Sequence, residues 1–320
     1  MIALIMFVLL ASNGVLAIAD DDANKGDQLD KSQSKGTKKN ASILPELPKG
    51  LVPLNKQETV LVDAKGKRLL LKAEVVMREG LLEMLLCLKQ TKEHESILSV
   101  DAKAYTIHAG LLAIGAEQGT PVRYEPEFKP ATGTPVAIYV QWIDDEGNRQ
   151  RVRGQEWISR AVHRFYAETL DKKPVDLVIP EESRLRYDKK NKELTWYGQM
   201  TEEERDRHLA LSRDKKYKTA IQSFFSRSQP EEMKAGWVFV GSSFFTDQNT
   251  GEKYYQAEGG DVICVANFPT ALIDVSVASS ASGEQNLLYE AYTERIPPLG
   301  TEVLIELIPE LDEPVEAVKP

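Results

Sequence analysis

Short apolar segments separated by turn residues occur in two stretches of the chain, about 50–160 and 235–310, with a stretch of different character between them. In the first, residues 59–76 contain two apolar segments around Asp63-Ala-Lys-Gly66, a pattern typical of a β-hairpin. In the second, similar segments are bounded by Gly, Asn and Pro. Because both stretches share this strand character, we expect them to form one β-rich domain that is split in sequence into 46–160 and 235–310.

The first stretch also contains a helical pattern at about 103–114. Asp101 is placed to cap the first turn of this helix, and Gly115 to end it. His108 would share a face with Leu111 and Leu112, so we expect the imidazole to point inward. Because several further strands are predicted around this single helix, the predicted fold class is α+β, with one main helix.

The intervening stretch, 161–234, differs from the rest of the chain in charge. Its core, residues 183–226, contains 11 Lys and Arg against 7 Asp and Glu, so it carries +4 while the remainder carries −13. Residues 185–188 and 193–197 alternate between polar and apolar side chains like a small hairpin. We therefore expect an inserted unit that interrupts the host domain.

Two short helices are predicted after this hairpin. Thr201 and Glu204 form a capping box for the first, and Ser212 is placed to cap the second. The second helix would carry an apolar stripe made of Tyr217, Ala220, Ile221 and Phe224. Because about 45 residues build only a small core, we expect this hairpin and two-helix module to lean on the host domain.

Composition excludes several classes of protein. The chain has 320 residues, of which 42% are hydrophobic and 28% charged, as is usual for a soluble globular protein. Its formal net charge of −9 provides no uniform basic surface. Nucleic acid is therefore not an expected partner, because nucleic-acid binding depends on neutralising phosphates.

The N-terminus indicates export. Residues 1–19 form an apolar run that ends in Ala17-Ile18-Ala19, which predicts a cleaved signal peptide and a periplasmic or extracellular location. No Lys or Arg follows Met1, so an uncleaved N-terminal anchor remains an alternative. Residues 20–45 read as a disordered leader and 311–320 as an acidic tail. No membrane span is expected after cleavage.

The two cysteines, Cys87 and Cys264, allow two interpretations. An oxidising compartment would permit a disulfide between them. Both cysteines nevertheless lie in apolar runs, where a buried free thiol behaves as a small hydrophobic side chain. The sequence leaves both states open.

Polar residues between the third predicted strand and the helix form the main candidate site. These residues are Lys92, His94, Glu95, Ser96, Asp101 and His108. One hypothesis is an acid–base or metal site built from His94, Glu95 and His108. The other is a structural brace, in which Glu95, Ser96 or Asp101 supplies the hydrogen bond that an inward His108 needs.

Metal binding is only weakly indicated. His94 lacks a second histidine four residues later, and the chain between His94 and His108 crosses a strand and a turn. We assign no metal ligands, although these two histidines are weak candidates. The sequence contains no motif for a nucleotide or redox cofactor, so no cofactor is implied.

A secondary candidate lies after the segment 262–267. Pro269 would end that strand and leave Asn267 and Asp274 near its end, where ligand-binding groups often occur. The alternative is a turn whose residues Phe268, Leu272 and Ile273 pack into the core.

Three runs resemble the YdjY domain, a bacterial family whose biochemical activity is undefined. They are residues 87–116, which include Lys92-Glu-His-Glu-Ser96 and Ile107-His108, residues 236–243, and residues 260–274. The resemblance extends over about 50–160 and 235–310, and implies one domain split by the insert. The insert is similar to a short module that recurs in large secreted bacterial proteins, where it looks like a spacer or packing unit.

These observations favour an exported envelope protein that binds an unidentified small ligand or envelope partner. The alternative is a metal-dependent or acid–base enzyme that uses His94, Glu95 and His108. A third possibility, a redox protein, requires Cys87 and Cys264 to be exposed and reducible.

Overall fold

The computed structural model describes residues 44–279 and 288–311. The strands in these residues are β1 (Val52–Pro53), β2 (Val60–Asp63), β3 (Arg68–Val75), β4 (Met84–Leu88), β5 (Ser96–Val100), β6 (Pro135–Ile143), β7 (Arg149–Arg153), β8 (Ile158–Arg160), β9 (Phe165–Thr169), β10 (Arg186–Asp188), β11 (Glu193–Tyr197), β12 (Trp237–Phe239), β13 (Phe244–Thr246), β14 (Lys253–Tyr255), β15 (Ile263–Cys264), β16 (Ile273–Val275), β17 (Tyr289–Ala291) and β18 (Glu302–Pro309). The α-helices are α1 (Ala104–Ala113), α2 (Glu202–Leu209) and α3 (Lys215–Arg227), and short 3-10 helices span Gly154–Trp157, Gln256–Gly259 and Thr293–Arg295.

Eight strands form a sheet that closes on itself. Their order is β3-β18-β6-β12-β16-β15-β4-β5, and β5 pairs back with β3. β1 and β2 extend the sheet beside β3, and β7 pairs with β6. The pairs β15–β16 and β4–β5 are parallel, and the other pairs of this sheet are antiparallel.

The large hydrophobic core lies on the enclosed face of this sheet. In β3, Leu69 and Leu71 belong to the main cluster, whereas Leu70 belongs to a separate cluster with Leu47 and Leu51 packed against it. Since side chains alternate along a strand, the continuous run Leu69–Leu71 requires both faces of β3 to be covered. The N-terminal segment before β1 covers the outer face.

Strands from the two ends of the chain interleave in the closed sheet. β18 lies between β3 and β6, with six residue pairs to each of them. β12 joins β6 to β16, and β15 pairs with β4. Neither half of the chain therefore contains a complete sheet.

The predicted fold class, α+β with one main helix, is wrong. The described residues are predominantly β, and their three α-helices include two in the module. α1 spans ten residues and α3 spans thirteen, so α1 is not the main helix. The sequence patterns revealed individual strands but not the pairing of β5 with β3. That pairing lets the sheet enclose its own core, so the fold does not depend on a helix to cover one sheet face.

α1 begins differently from the prediction and ends as predicted. Its N-cap is Lys103 rather than Asp101, and no side chain of the N-cap residue bonds to the first turn. Gly115 follows the C-cap with φ +97°, a left-handed conformation that glycine adopts at low cost. His108 and Leu111 are buried as expected, but Leu112 is 47% exposed.

The inserted module, Phe165–Arg227, has its own core. β9 adds a third strand to the predicted hairpin in the order β10-β11-β9. The predicted stripe Tyr217, Ala220, Ile221 and Phe224 is buried in a cluster with Leu194 and Trp196, separate from the core of the closed sheet. The stripe therefore packs inside the module, where residues 166–185 supply additional apolar side chains.

Helix caps in the module follow the sequence with one correction. Thr201 and Glu204 form the predicted capping box of α2. Asp214, not Ser212, caps α3 by accepting a hydrogen bond from the Tyr217 N–H. Ser212 instead donates to Asp176 and so holds the loop before the helix.

A short antiparallel stem connects the module to the closed sheet. Arg160 donates its N–H to the Glu231 carbonyl at 2.7 Å, and Met233 donates its N–H to the Ile158 carbonyl at 2.9 Å. The chain therefore leaves and re-enters the host domain at adjacent points.

No helix within residues 44–279 and 288–311 has the length and apolar character needed to cross a membrane. The expected signal peptide 1–19 lies outside the described residues. So do nearly all of the expected leader 20–45 and acidic tail 311–320.

Candidate functional site

One segment, Tyr255–Asp261, connects two parts of the site predicted from sequence. Tyr255, at the end of β14, contacts His108 on α1. Asp261, just before β15, contacts Lys92 in the turn between β4 and β5. The 3-10 helix Gln256–Gly259 lies between these two contacts. The site thus has a histidine part and a lysine part.

The histidine part is a buried hydrogen-bonded chain. The Tyr255 hydroxyl donates to the Gly241 carbonyl at 2.9 Å, so its oxygen accepts from Nδ1 of His108 at 2.7 Å. Burial lowers the pKa of His108, although hydrogen bonds to Gly241 and Gln118 oppose this effect. Burial also raises the pKa of the Tyr255 hydroxyl well above its ordinary value. Both groups are therefore held neutral. Their hydrogen bonds fix the positions of the His108 and Tyr255 rings.

Two exposed rings stand beside Tyr255. The Tyr105 ring meets it edge-on, with centroids 5.9 Å apart and planes at 82°, and the Phe244 ring lies 5.2 Å away at 48°. Tyr105 and Phe244 are each 57% exposed, whereas Tyr255 is 7% exposed. No ring contact joins Tyr105 to Phe244 in the described part of the chain. We call these three residues the aromatic slot, with Tyr255 as its floor.

Glu258 lies at the edge of the aromatic slot. Its Oε1 accepts a hydrogen bond of 3.0 Å from the Tyr105 N–H in the first turn of α1. The carboxylate thus satisfies a backbone donor at the helix N-terminus, a role that the N-cap Lys103 does not fill. Its charge also contributes to the raised pKa of Tyr255.

The lysine part is a cluster of one ammonium and three carboxylates, which we call the Lys92 cluster. Lys92 Nζ lies 2.9 Å from Asp261 Oδ1, 3.4 Å from Glu95 Oε1 and 3.7 Å from Glu83 Oε2. It also lies 4.8 Å from the centroid of the Phe268 ring. Asp261 accepts a further hydrogen bond from the Thr270 hydroxyl.

Charges in the Lys92 cluster do not balance. Burial opposes the charged form of Lys92, but the hydrogen bond and charge of Asp261, with Glu95 and Glu83, outweigh it and raise the lysine pKa. Burial and the neighbouring Glu95 raise the pKa of Glu83. The cluster therefore keeps its ammonium and favours a proton on Glu83. It links the β4–β5 turn to β15 as a brace.

Asn267 and Asp274, the secondary candidates, contact each other through their side chains. Asp274 Oδ1 accepts from the Val275 N–H at 2.8 Å and from Asn267 Nδ2 at 3.3 Å. Asp274 is fully buried, and within residues 44–279 and 288–311 its Oδ2 has no hydrogen-bond partner. Burial raises its pKa to about 7, despite the hydrogen bonds that favour the charged form. The alternative interpretation was a turn whose apolar residues pack into the core. It holds for Leu272 and Ile273, which are buried in the main core.

The structure has Cys87 and Cys264 as free buried thiols rather than a disulfide. Ile263 pairs with Leu86 and Cys264 with Met84, with a register shift between the two pairs, so Cys264 does not lie opposite Cys87 across β15 and β4. Burial raises the pKa of both thiols.

We expect neither thiol to react with a maleimide in the native protein. Burial keeps both in the unreactive protonated form and blocks access. After denaturation without reductant, mass spectrometry should detect two labels on each chain. A single label or none after denaturation would mean that the cysteines are oxidised, and rapid labelling of native protein would mean that the pair is accessible.

The remaining predicted residues do not converge. The side chain of His94 is 75% exposed and its ring contacts only Glu95, at 3.7 Å, in the described residues. Ser96 is buried and donates to the Leu98 carbonyl, and Asp101 is exposed. His108 donates its hydrogen bond to Tyr255 and is not paired with Glu95, Ser96 or Asp101, so that part of the brace hypothesis is wrong. Lys92 and Glu95 do belong to a brace, the Lys92 cluster, which links the β4–β5 turn to β15.

No group of three His, Cys, Asp or Glu side chains within residues 44–279 and 288–311 is arranged to hold a metal ion. Among the residues that the structure describes, His108 bonds to Tyr255 and His94 contacts Glu95, so the two histidines do not form a ligand pair. The acid–base alternative is not favoured by this geometry, because His108 is buried against aromatic rings and does not face Glu95.

Sequence reasoning missed the residues Glu83, Tyr105, Phe244, Tyr255 and Asp261. The hairpin segment 244–255 carried a detectable signal, since four of its residues are aromatic and three of those are at least half exposed. Exposed aromatic rings in a group mark interaction surfaces more often than single exposed apolar residues do. The sequence around each ring does not show which other ring it contacts, because Tyr105 is far from Phe244 and Tyr255 along the chain.

Comparison with known proteins gives one match. The family model described as the YdjY domain matches residues 60–174 and 210–307, which together exceed half of the chain. The unmatched segment 175–209 contains β10, β11 and α2, so β9 and α3 of the module lie within the matched ranges. No curated protein and no solved structure matches the chain.

Proposed function

Because the chain belongs to the YdjY domain family, whose activity is undefined, we propose that it is an exported envelope protein that binds a ligand through the aromatic slot. The observation that carries this proposal is the arrangement of Tyr105, Phe244 and Tyr255. Two half-exposed rings flank a buried ring whose position is held by hydrogen bonds. Leaving such rings in water is unfavourable, so a surface that keeps them grouped is suited to binding.

Rigid support for the rings favours binding rather than a passive exposed patch. The Tyr255 hydroxyl is held by two hydrogen bonds, one to the Gly241 carbonyl and one from His108. Tyr105 is on α1, whose first turn is tied to Glu258. A ligand that enters a preorganised site loses less free energy to the ordering of side chains. The neutral state of His108 and Tyr255 suits a binding role more than proton transfer near neutral pH.

Export is supported by residues 1–19 alone. Fusing residues 1–45 to a phosphatase that is active only outside the cytoplasm tests it. We expect phosphatase activity that is lost when residues 1–19 are removed. Equal activity with and without these residues, or none with either, would contradict export.

Binding is tested with the purified full chain against a panel of envelope components in ligand-observed NMR. The panel contains peptidoglycan fragments, neutral oligosaccharides, alkylamines and short peptides. At least one class should bind saturably to the wild type and not to the Tyr105→Ala/Phe244→Ala double variant. The matched control is Phe245→Ala, since Phe245 is 53% exposed but points to the opposite face of β13. Equal binding by the wild type, the Tyr105→Ala/Phe244→Ala double variant and Phe245→Ala would contradict the proposal.

A further inference from the structure

The chemistry of the aromatic slot restricts the class of its ligand. Its exposed walls are the rings of Tyr105 and Phe244, and its floor is the ring of Tyr255, which lies nearly perpendicular to Tyr105. Ring faces carry negative electrostatic potential, and several rings at steep angles can surround one cation. Geometry alone would also suit an uncharged apolar group, so charge must decide between them.

Charge around the slot favours a cation. Glu258 accepts a hydrogen bond from the Tyr105 N–H at 3.0 Å, and its negative charge contributes to the raised pKa of Tyr255. The chain outside residues 183–226 carries −13. An acidic host domain attracts cations and repels anionic surfaces. Lys253 lies on the same face of β14 as Tyr255, and its positive charge would disfavour a bound cation.

In the part of the chain that the structure describes, no Lys or Arg side chain lies over the rings of the slot. Seven Lys or Arg side chains lie over aromatic rings in residues 44–279 and 288–311, and none of those rings is Tyr105, Phe244 or Tyr255. Elsewhere in this protein exposed arginines cover aromatic rings, as Arg184 covers Trp196. The Tyr105 ring stacks on the His108 ring, with centroids 6.4 Å apart and planes at 26°, and no described Lys or Arg side chain lies over any ring of the slot.

We propose that the aromatic slot binds a free quaternary ammonium compound of the choline type. This inference rests on the proposed ligand-binding function and specifies its ligand class. A quaternary ammonium group cannot donate a hydrogen bond and is weakly hydrated, so ring faces and one carboxylate satisfy it without further polar partners. The slot offers these two features and few free hydrogen-bonding groups, because the Tyr255 hydroxyl is already used.

The test measures the affinity of the full chain for choline chloride by isothermal titration. Its neutral isostere, 3,3-dimethylbutan-1-ol, has the same shape without the charge. We expect choline to bind about tenfold more tightly than the isostere, as a cation–π site predicts. Tyr105→Leu and Phe244→Leu should each weaken choline binding by about fivefold or more, because leucine keeps apolar area but removes the ring.

Charge variants and a face control sharpen the result. Glu258→Gln, which keeps an acceptor for the Tyr105 N–H, should weaken choline binding, and Lys253→Gln should strengthen it. Phe245→Leu should have no effect, since Phe245 lies on the other face of the hairpin. Equal binding of choline and the isostere, no choline binding, or equal losses in Phe244→Leu and Phe245→Leu would overturn the inference.

Two further outcomes separate this inference from the proposed function. Binding of phosphatidylcholine vesicles without binding of free choline would make the ligand a lipid surface and contradict a free quaternary ammonium compound. Slot-dependent binding of another class in the NMR panel, with no choline binding, would leave the binding function standing and refute its proposed ligand class. Failure of every panel member together with choline would refute both.

Discussion

Asp274→Asn should make the protein more stable than the wild type at pH 8, by about 2–4 kcal/mol, and should have little effect at pH 4. Burial raises the pKa of Asp274 from 3.8 to about 7. A shift of about three units corresponds to about 4 kcal/mol between the two protonation states. Asparagine resembles the protonated acid in shape and keeps the oxygen that accepts from Val275 and Asn267.

The direction of this pH dependence follows from the raised pKa. In the folded protein Asp274 holds its proton up to about pH 7, whereas in the unfolded chain it releases the proton near pH 4. The stability contributed by this proton is fully present below about pH 4 and is lost as the pH rises through 7. Above that pH the folded protein must keep an ionised carboxylate in a site where Oδ2 has no hydrogen-bond partner among the described residues.

Urea unfolding of both proteins at pH 4, 6 and 8 measures the effect. The matched control is Asp144→Asn, because Asp144 lies partly exposed at the turn between β6 and β7 and hydrogen bonds from Gln150 and Asn148 lower its pKa. Asp144→Asn should not stabilise the protein at pH 8. A difference between Asp274→Asn and the wild type that is constant across this pH range would contradict the raised pKa.

Residues 44–160 and 231–311, expressed separately, should each fail to fold. Four of the eight junctions in the closed sheet join a strand of one half to a strand of the other, namely β3–β18, β18–β6, β6–β12 and β15–β4. Their separation exposes the enclosed core, and the loss exceeds the ~5–15 kcal/mol by which a typical domain is stable. Neither fragment should show a cooperative thermal transition, and co-expression should restore one.

The matched control removes the module without separating the halves. Replacement of residues 163–229 by a short Gly/Asn linker should leave a cooperatively folding protein, because the stem holds Arg160 beside Glu231 and Ile158 beside Met233. Short linkers between adjacent chain ends have a small closure entropy. Two independently folding fragments, or a shortened chain that cannot fold, would contradict this account of the domain.

Part of the candidate site was accessible from sequence because it depends on local spacing. His108 is buried on the α1 face that the position of Leu111 predicts. Its partner was not accessible in this way, since Tyr255 lies 147 residues later in the chain. A similarly long stretch of chain separates Lys92 from Asp261, so the pairing of Asp261 with this lysine was also out of reach.

Strand-forming segments, the capping box of Thr201 and Glu204, the helix-ending Gly115 and the split YdjY domain followed from the sequence by itself. Each of these features depends on residues a few positions apart, or on runs long enough to resemble a family. Only the tertiary structure decided that β5 pairs with β3, that the module has its own core, and that Tyr255 supports two exposed rings. Turn and helix signals act over one or two turns of chain, whereas closure of a sheet depends on the combined packing of strands from both ends of the molecule.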